Sequence, residues 1–438
     1  MKKIPLHWKI LGGMVLGLII GLIASQSGAG VGFVKDWIKP FGTIFINLLK
    51  LIAIPLIIAS LIKGIADLKD ISKFSSLGIR TIAIYMVTTL IALSIGLAVV
   101  YMINPGNSIS AETLAELVSA NNDKANSTIA SAANQQSRSP LSFLVNMVPS
   151  NIFEAAGNNR NMLQVIFFVI FFGISLLLIP AEKARPLKDF FDSLNDVILK
   201  MVDIIMLYAP VGVLALMAAL VVETTNPDLF IALAKYAMAV VLGLLLMMAF
   251  YVLVISVYVG KSPMTFFKGI GPAQLVAFST SSSAATLPVT MERVEEHLGV
   301  EKEVVSFVCP VGATINMDGT SLYQAVATVF ICQAFNFELT WGALLTILFT
   351  ALLASVGAAA VPGAGVVMLI IVLESVNFPS EYLALGIAMI LAVDRPLDMI
   401  RTTVNITGDA SVSMIVAKQL GKLKDPNPKN WDDNKEHF

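Results

Sequence analysis

The chain has 438 residues, 56% of them hydrophobic and 13% charged, with a mean hydropathy of +0.81. A soluble domain is about 45–50% apolar and about 25% charged, so 29 Lys+Arg and 30 Asp+Glu are too few to cover a water-facing surface of this size. A soluble enzyme is therefore excluded, and a formal net charge of -1 offers no basic face for nucleic acid.

Lys2, Lys3 and Lys9 precede the first apolar run, but no small-residue cleavage site follows it, so a retained first transmembrane helix is expected rather than a signal peptide. A helix needs about 20 mainly apolar residues to span the hydrocarbon core. Such stretches lie near 8–26, 40–62, 77–103, 162–181, 195–222 and 229–259. The connections carrying Lys63, Lys69 and Lys73, then Lys183, Arg185 and Lys188, then Lys261 and Lys268 collect cations, whereas 223–228 has none. Cations collect on the cytoplasmic side, which places the N-terminus there, with Lys35 and Lys39 as minor exceptions. By parity the Asn-, Ser- and Ala-rich stretch 105–161 is an external loop. Cys309 and Cys332 sit in apolar runs and His7, His297 and His437 are scattered, so no disulfide or His/Cys metal site is expected.

After residue 262 the hydrophobic runs are broken by small residues and carry charge. Residues 264–298 have an apolar arm, then Ser279-Thr280-Ser281-Ser282-Ser283, then a return arm with Glu292, Arg293, Glu295 and Glu296 that cannot cross lipid. The pattern predicts a re-entrant helical hairpin, whose tip leaves helix-end groups facing a protein or water cavity. Residues 341–377 repeat the plan, with Pro362, Gly363 and Gly365 at a bend able to act as a gate. Between the hairpins, 300–335 is interrupted by Asn316-Met317-Asp318-Gly319-Thr320; after them comes 382–418. Paired interrupted segments at matching positions of two halves point to a midplane site in an inverted-repeat secondary transporter.

On the last helix Asp394, Asp398, Arg401, Thr402, Asn405 and Asp409 share one face over about 22 Å. Each ionisable group at the bilayer centre costs about 2.5–3.5 kcal/mol on insertion scales, so this stripe needs compensation by ions, by substrate or by its own members as a structural ion-pair network. Arg401 presents a fork for bidentate capture of a carboxylate and Asp398 can receive an ammonium, so an acidic amino acid satisfies both. Asp318, Asp409, Asn316 and Asn405 offer the oxygen ligands a hard cation prefers, sodium rather than zinc. Gly319 suggests local unwinding that frees carbonyls as ligands, or else a kinked packing spot. The serine run is either an anion-binding helix end or a close-packing surface.

These residues identify a resemblance to the dicarboxylate/amino acid:cation symporter family, the glutamate transporters and their prokaryotic aspartate and glutamate homologues. It covers essentially the whole chain and is densest in the serine-rich tip, Asn316-Met317-Asp318-Gly319-Thr320, Val361-Pro362-Gly363-Ala364-Gly365 and the run from Arg401 to Asp409. The resemblance implies an all-α polytopic membrane protein, an elevator-type homotrimer of eight transmembrane helices and two re-entrant hairpins with inverted repeats. It implies scaffold helices in 1–76, a transport-domain helix in 77–104, loop and scaffold helices in 105–222, a transport-domain helix in 229–259, a transport core in 264–418 and a cytoplasmic tail in 419–438.

Carried over by motif, Arg401 binds the substrate side-chain carboxylate with Thr320 and the Gly365 N–H, while Asp398 and the carbonyls of Ser281 and Val361 hold the ammonium. Ser283, Asn405 and Thr402 complete the substrate set. One sodium site is implied from Gly312, Asn316, Asn405 and Asp409, a second from the carbonyls of Thr314, Ser355, Val356 and Ala358, and a third from Tyr85, Thr88, Thr89, Asn316 and Asp318. Three departures stand out. Ser281 replaces an arginine of archaeal relatives and leaves Asp394 and Asp398 without that partner; Arg395, about 100° from its neighbour Asp394 around the helix, is not expected to replace it. Gln324 stands where vertebrate relatives carry a glutamate linked to proton and potassium coupling, which implies neither is coupled there. Ala360 replaces a glycine of the second tip, which stiffens that hinge.

The expectation is thus an inner-membrane symporter, not an enzyme, with both termini cytoplasmic, importing aspartate or glutamate with sodium. The alternatives are proton-coupled uptake of the same substrates, neutral amino acid or C4-dicarboxylate transport, and, outside the carrier class, a channel lined by the polar stripe.

Overall fold

The computed structural model describes residues 6–67, 75–110, 112, 148–157, 161–223, 228–356 and 363–426. Among these it is helical, with no strand beyond a single bridge between Val300 and Leu423. The helices are α1 (Leu6–Ala24), α2 (Gly28–Phe33), α3 (Lys39–Asp67), α4 (Ser75–Ile103), α5 (Ile152–Ala156), α6 (Met162–Leu178), α7 (Ala181–Glu223), α8 (Asp228–Val254), α9 (Pro263–Thr280), α10 (Ser283–Glu292), α11 (Lys302–Ile315), α12 (Asp318–Ala334), α13 (Trp341–Val356), α14 (Ala364–Ser375) and α15 (Ser380–Gln419). The six long apolar stretches coincide with α1, α3, α4, α6, α7 and α8, because unbroken runs of Leu, Ile, Ala and Met satisfy every backbone group within a helix.

Three described helical runs are long and apolar enough to cross a membrane, Gly28–Lys63, Leu77–Ser108 and Asp228–Val259; Ala181–Val202 with Leu207–Val222, bent by 45°, makes a fourth. Pro210, which lacks the N–H needed by the preceding turn, accounts for the bend. The cationic stretch 182–188 is the first two turns of α7 rather than a connection, since its Ala, Glu, Lys, Arg and Leu are strong helix formers. Large apolar side chains such as Leu51, Leu207, Leu245 and Leu275 are exposed, as expected where the solvent is lipid.

Helices α1 and α3 both pack on α7, and α6 packs on α3. Around them α4 and α8 pack on α12 and α15, and the pairs α9/α10 and α13/α14 each fold back on themselves and lean on α12 or α15. Helix α12 lies at the centre: apart from Gln333, each of its residues is buried. Gly96 and Gly243 admit Leu322 of α12 so closely that a Cβ at either would meet it at 2.8–2.9 Å. Beyond α15, Lys422 and Lys424 return to the start of α11 by ion pairs with Glu303 and Glu301, the latter at 2.7 Å.

Candidate functional site

The centre of the site is a chain of four buried charges on α15. This helix continues through Pro396, so positions 394, 395, 398 and 401 keep their i,i+3 and i,i+4 relations. Arg401 is completely buried; its Nη1 donates to Asp394 Oδ1 at 3.0 Å and its Nη2 to Asp398 Oδ1 at 2.6 Å. Arg395 Nη1 donates to Asp398 Oδ2 at 3.0 Å, and the Gly363 N–H reaches the same oxygen at 3.3 Å. The Arg401 guanidinium lies 3.7 Å over the ring of Tyr323, and a Cβ on Gly365 would stand 3.0 Å from Nη2. The cluster therefore presses against the start of α14, the second arm of the second hairpin.

Arg401 and Asp398 pair with each other in this structure, the arrangement that the sequence left open as an ion-pair network. One sequence expectation is corrected here. Arg395 does supply Asp398 with a guanidinium, because i,i+3 spacing puts it on the Asp398 face even though it points away from adjacent Asp394.

The next turn ties α15 to α12. The Gly319 N–H donates to Asn405 Oδ1 at 2.8 Å and Asn405 Nδ2 to Thr320 Oγ1 at 3.2 Å, while the Thr402 hydroxyl donates to the Asp398 carbonyl at 2.9 Å. Unwinding occurs at Asn316 (φ -97, ψ 95) and Met317 (φ -121, ψ 55), not at Gly319, which is helical. Glycine is required at 319 for another reason: a Cβ there would lie 2.5 Å from the Arg401 carbonyl oxygen.

Behind this turn lie two fully buried carboxylates, Asp318 and Asp409. Asp318 accepts from the hydroxyls of Thr89, at 2.6 Å, and of Tyr251. Asp409 accepts from Asn316 Nδ2 at 2.9 Å. Among the described residues neither has a cationic partner, and Asn316 Oδ1 is buried with no donor. Gly312 brings its backbone so close that a Cβ would meet both Asp409 Oδ1 and the Tyr85 hydroxyl at 2.3 Å. The Tyr85 hydroxyl donates to the Val308 carbonyl, and Thr88 and Thr89 follow on the next turn of α4. This oxygen-rich, cation-poor pair of niches suits small hard cations.

The remaining predicted residues are less gathered. Ser281 (φ 52) forms the left-handed cap of α9 with its hydroxyl buried and unbonded, and buried Ser283 opens α10. Their hairpin is pinned to α15 by Gln274 Nε2 donating to Thr407 Oγ1 at 2.9 Å, and no hydrogen bond joins Ser281 or Ser283 to Arg401, Asp398 or Asn405 among the described residues. The hydroxyls of Thr314 and Ser355 bond back into their own helices; Val356 ends α13. Ala358, Ala360, Val361 and Pro362 lie outside the described residues. Gln324 is buried on α12 with neither amide atom hydrogen-bonded among the described residues.

The sequence model of the sodium:dicarboxylate symporter family matches residues 6–419. The chain belongs to this family. It is 33% identical over 435 residues, 98% of each chain, to the proton/sodium-glutamate symport protein of Geobacillus stearothermophilus. It is 33% identical over 417 residues, 95% of this chain and 93% of the relative, to the proton/glutamate-aspartate symporter of Escherichia coli strain K12. With excitatory amino acid transporter 3 of Homo sapiens it shares 34% over 464 residues, 94% of this chain and 85% of the relative. The protein is thus an integral membrane symporter of the glutamate transporter family and not an enzyme. Three members of the symporter's charged centre escape sequence reasoning: Tyr323 beneath Arg401, Tyr251 on Asp318 and Arg395 on Asp398. For Tyr251 a signal existed, since a phenolic hydroxyl buried in an otherwise apolar span needs a partner.

Proposed function

We propose that this symporter imports aspartate or glutamate together with sodium ions. The observation that carries the reading is the contrast between two neighbouring groups of charge. The cluster of Asp394, Arg395, Asp398 and Arg401 is balanced by itself, whereas Asp318 and Asp409 hold only neutral hydrogen-bond donors. A buried, uncompensated carboxylate is too costly to keep, so each of the latter takes up a cation or a proton. The unbonded Asn316 Oδ1, and the close gathering of Asp409 Oδ1 and the Tyr85 hydroxyl against Gly312, favour a cation with several oxygen ligands.

In this reading Arg401 leaves its aspartates to clamp the substrate side-chain carboxylate, with Thr320 and the Gly365 N–H beside it. Asp398 then takes the ammonium, together with carbonyls of Ser281 and Val361. Asn405, Thr402 and Ser283 hold the α-carboxylate. Sodium occupies Gly312, Asn316, Asn405 and Asp409; Tyr85, Thr88, Thr89, Asn316 and Asp318; and, under the closed second hairpin, the carbonyls of Thr314, Ser355, Val356 and Ala358. Helices within 1–76 and 105–222 form a scaffold and the trimer contacts; 77–104, 229–259 and 264–418 move as the transport unit in the plasma membrane, with both termini cytoplasmic. The packing of α1 and α3 on α7, and of α4 and α8 on α12 and α15, supports that division.

Proton coupling through the same two carboxylates is the second reading, favoured by their wholly neutral partners. Uptake of labelled aspartate into proteoliposomes, driven separately by a sodium and a pH gradient and competed by glutamate and by succinate, decides both questions. A sodium gradient that drives no uptake overturns sodium coupling; inhibition by succinate but not glutamate overturns the substrate class.

A further inference from the structure

Arg395 faces two ways. Its Nη1 rests on Asp398, but its Nε is buried without a partner, and the side chain lines a cavity of about 30 Å³, room for a single water, between α15, α14 and the apolar side chains of Phe45, Leu49 and Val213. The other polar side chain on that cavity is Asp394. All four charges of the cluster are more than nine-tenths buried, so a member that loses its partner carries the full desolvation penalty of a buried ion.

Following those charges through ligand binding gives a definite result. Resting on the reading that Arg401 and Asp398 take an acidic amino acid, the ligand carboxylate draws Arg401 away from both aspartates and the ligand ammonium displaces Arg395 from Asp398. Two opposite charges are then left over, Arg395 and Asp394, adjacent in sequence and lining the same cavity. We propose that Arg395 is a positioning residue that exchanges partners on substrate binding, from Asp398 in the free protein to Asp394 in the loaded one, so that no buried charge stands alone in either state. Both members of the new pair already line one cavity, so the exchange is a short turn of the guanidinium within packing that is not closed between them. Arg395 thereby favours a ligand that brings both a carboxylate and an ammonium, since a ligand with carboxylates alone frees Arg401 and leaves Asp398 still holding Arg395.

The test is a double-mutant cycle on the full-length protein in detergent, with aspartate binding titrated calorimetrically at saturating sodium. Arg395→Met strands Asp394 and Asp394→Asn strands Arg395 in the loaded state, so each weakens aspartate by about tenfold or more, while the double variant, with no leftover charge, returns to within about threefold of wild type. Arg395→Lys, which keeps the charge, stays within about threefold as well. Unchanged affinity in either single variant, or losses that multiply in the double variant, overturns the exchange. A variant that does not survive purification is replaced by aspartate uptake in whole cells, comparing Arg395→Lys with Arg395→Gln; equal loss in both also overturns it. If wild type binds no aspartate in sodium, the underlying substrate reading fails instead, a result distinct from any of these.

Discussion

Placing a methyl group at Gly312 tests the coupling-ion site without altering any charge. Gly312 is helical, so alanine suits its backbone and the effect is steric. The added Cβ would stand 2.3 Å from Asp409 Oδ1 and 2.3 Å from the Tyr85 hydroxyl, about 1 Å inside ordinary contact. Both oxygens belong to buried side chains tied elsewhere, Asp409 to Asn316 and Tyr85 to Val308, so neither swings away freely. Overpacking of this kind typically costs about 1–3 kcal/mol. Concentrated on one ion site, that range corresponds to a loss of about 5- to 150-fold in apparent sodium affinity. The assay is the sodium dependence of aspartate binding to the purified protein. Aspartate affinity at saturating sodium is expected to stay near wild type, because the Arg401 cluster lies two turns away along α15. Gly271→Ala is the control, since a Cβ there meets nothing within 4 Å. An unchanged sodium dependence in Gly312→Ala, with the control also silent, refutes an ion site at Asp409.

Arg401→Ala leaves Asp394 and Asp398 without their shared guanidinium; breaking a buried pair this way costs about 3–5 kcal/mol, so thermal unfolding in detergent falls sharply and acidic-substrate binding is lost. Tyr323→Phe keeps the ring under Arg401 and should bind aspartate like wild type, whereas Tyr323→Leu should lose about tenfold or more, read in the same titration, because a desolvated cation–π contact is worth about 2 kcal/mol. Reciprocal linkage requires aspartate to raise sodium affinity by the factor by which sodium raises aspartate affinity, a comparison of two calorimetric titrations. Outside the spanning helices, Glu301 is held below the usual carboxylate range mainly by its hydrogen bond to Lys424. A depressed carboxyl pKa contributes stability that is present above the unfolded value and lost as pH falls through the folded one. The protection of the Lys424 amide, bonded to the Gly299 carbonyl, measured against the intrinsic exchange rate at each pH, should therefore fall only as pH drops below the ordinary carboxylate range, and Glu301→Gln should abolish that loss.

Much of this architecture is legible because lipid imposes a coarse rule. Where a run such as 229–259 is apolar throughout, only a helix satisfies the backbone, and the structure places α8 there. The interrupted segments read equally well, since the turn between Thr280 and Ser283 falls in the serine run and the break between α11 and α12 falls inside Asn316–Thr320. The details that were not legible depend on distances between elements. Periodicity puts Arg395 near the Asp398 face of one helix, but which carboxylate oxygen it takes depends on where Arg401 and Gly363 already stand. The glycine at 319 reads as a point of unwinding from sequence, yet its real constraint is the Arg401 carbonyl of another helix, a contact that no local pattern contains. Tyr251 is likewise invisible as an Asp318 partner because it is 67 residues distant.

In the proposed reading, the coupling of ion to substrate follows from how the two kinds of charge share one helix. Arg401, Asn405 and Asp409 stand at successive i+4 positions of α15, so about 12 Å of rigid helix separates the substrate fork from the ion carboxylate. Asn405, in the middle, already uses its oxygen on the Gly319 N–H and its amide on Thr320. An ion that draws Asn405 and Asn316 oxygens toward Asp409 fixes the start of α12, and with it Thr320 beside the Arg401 fork. A cation at Asp409 or Asp318 keeps that carboxylate ionised without a net charge to oppose a ligand bearing two carboxylates, and its oxygen ligands are ordered before the ligand arrives. The balanced cluster alone has no net charge with which to attract an anionic substrate, so on this reading binding of an acidic amino acid is strong only once the cations are in place.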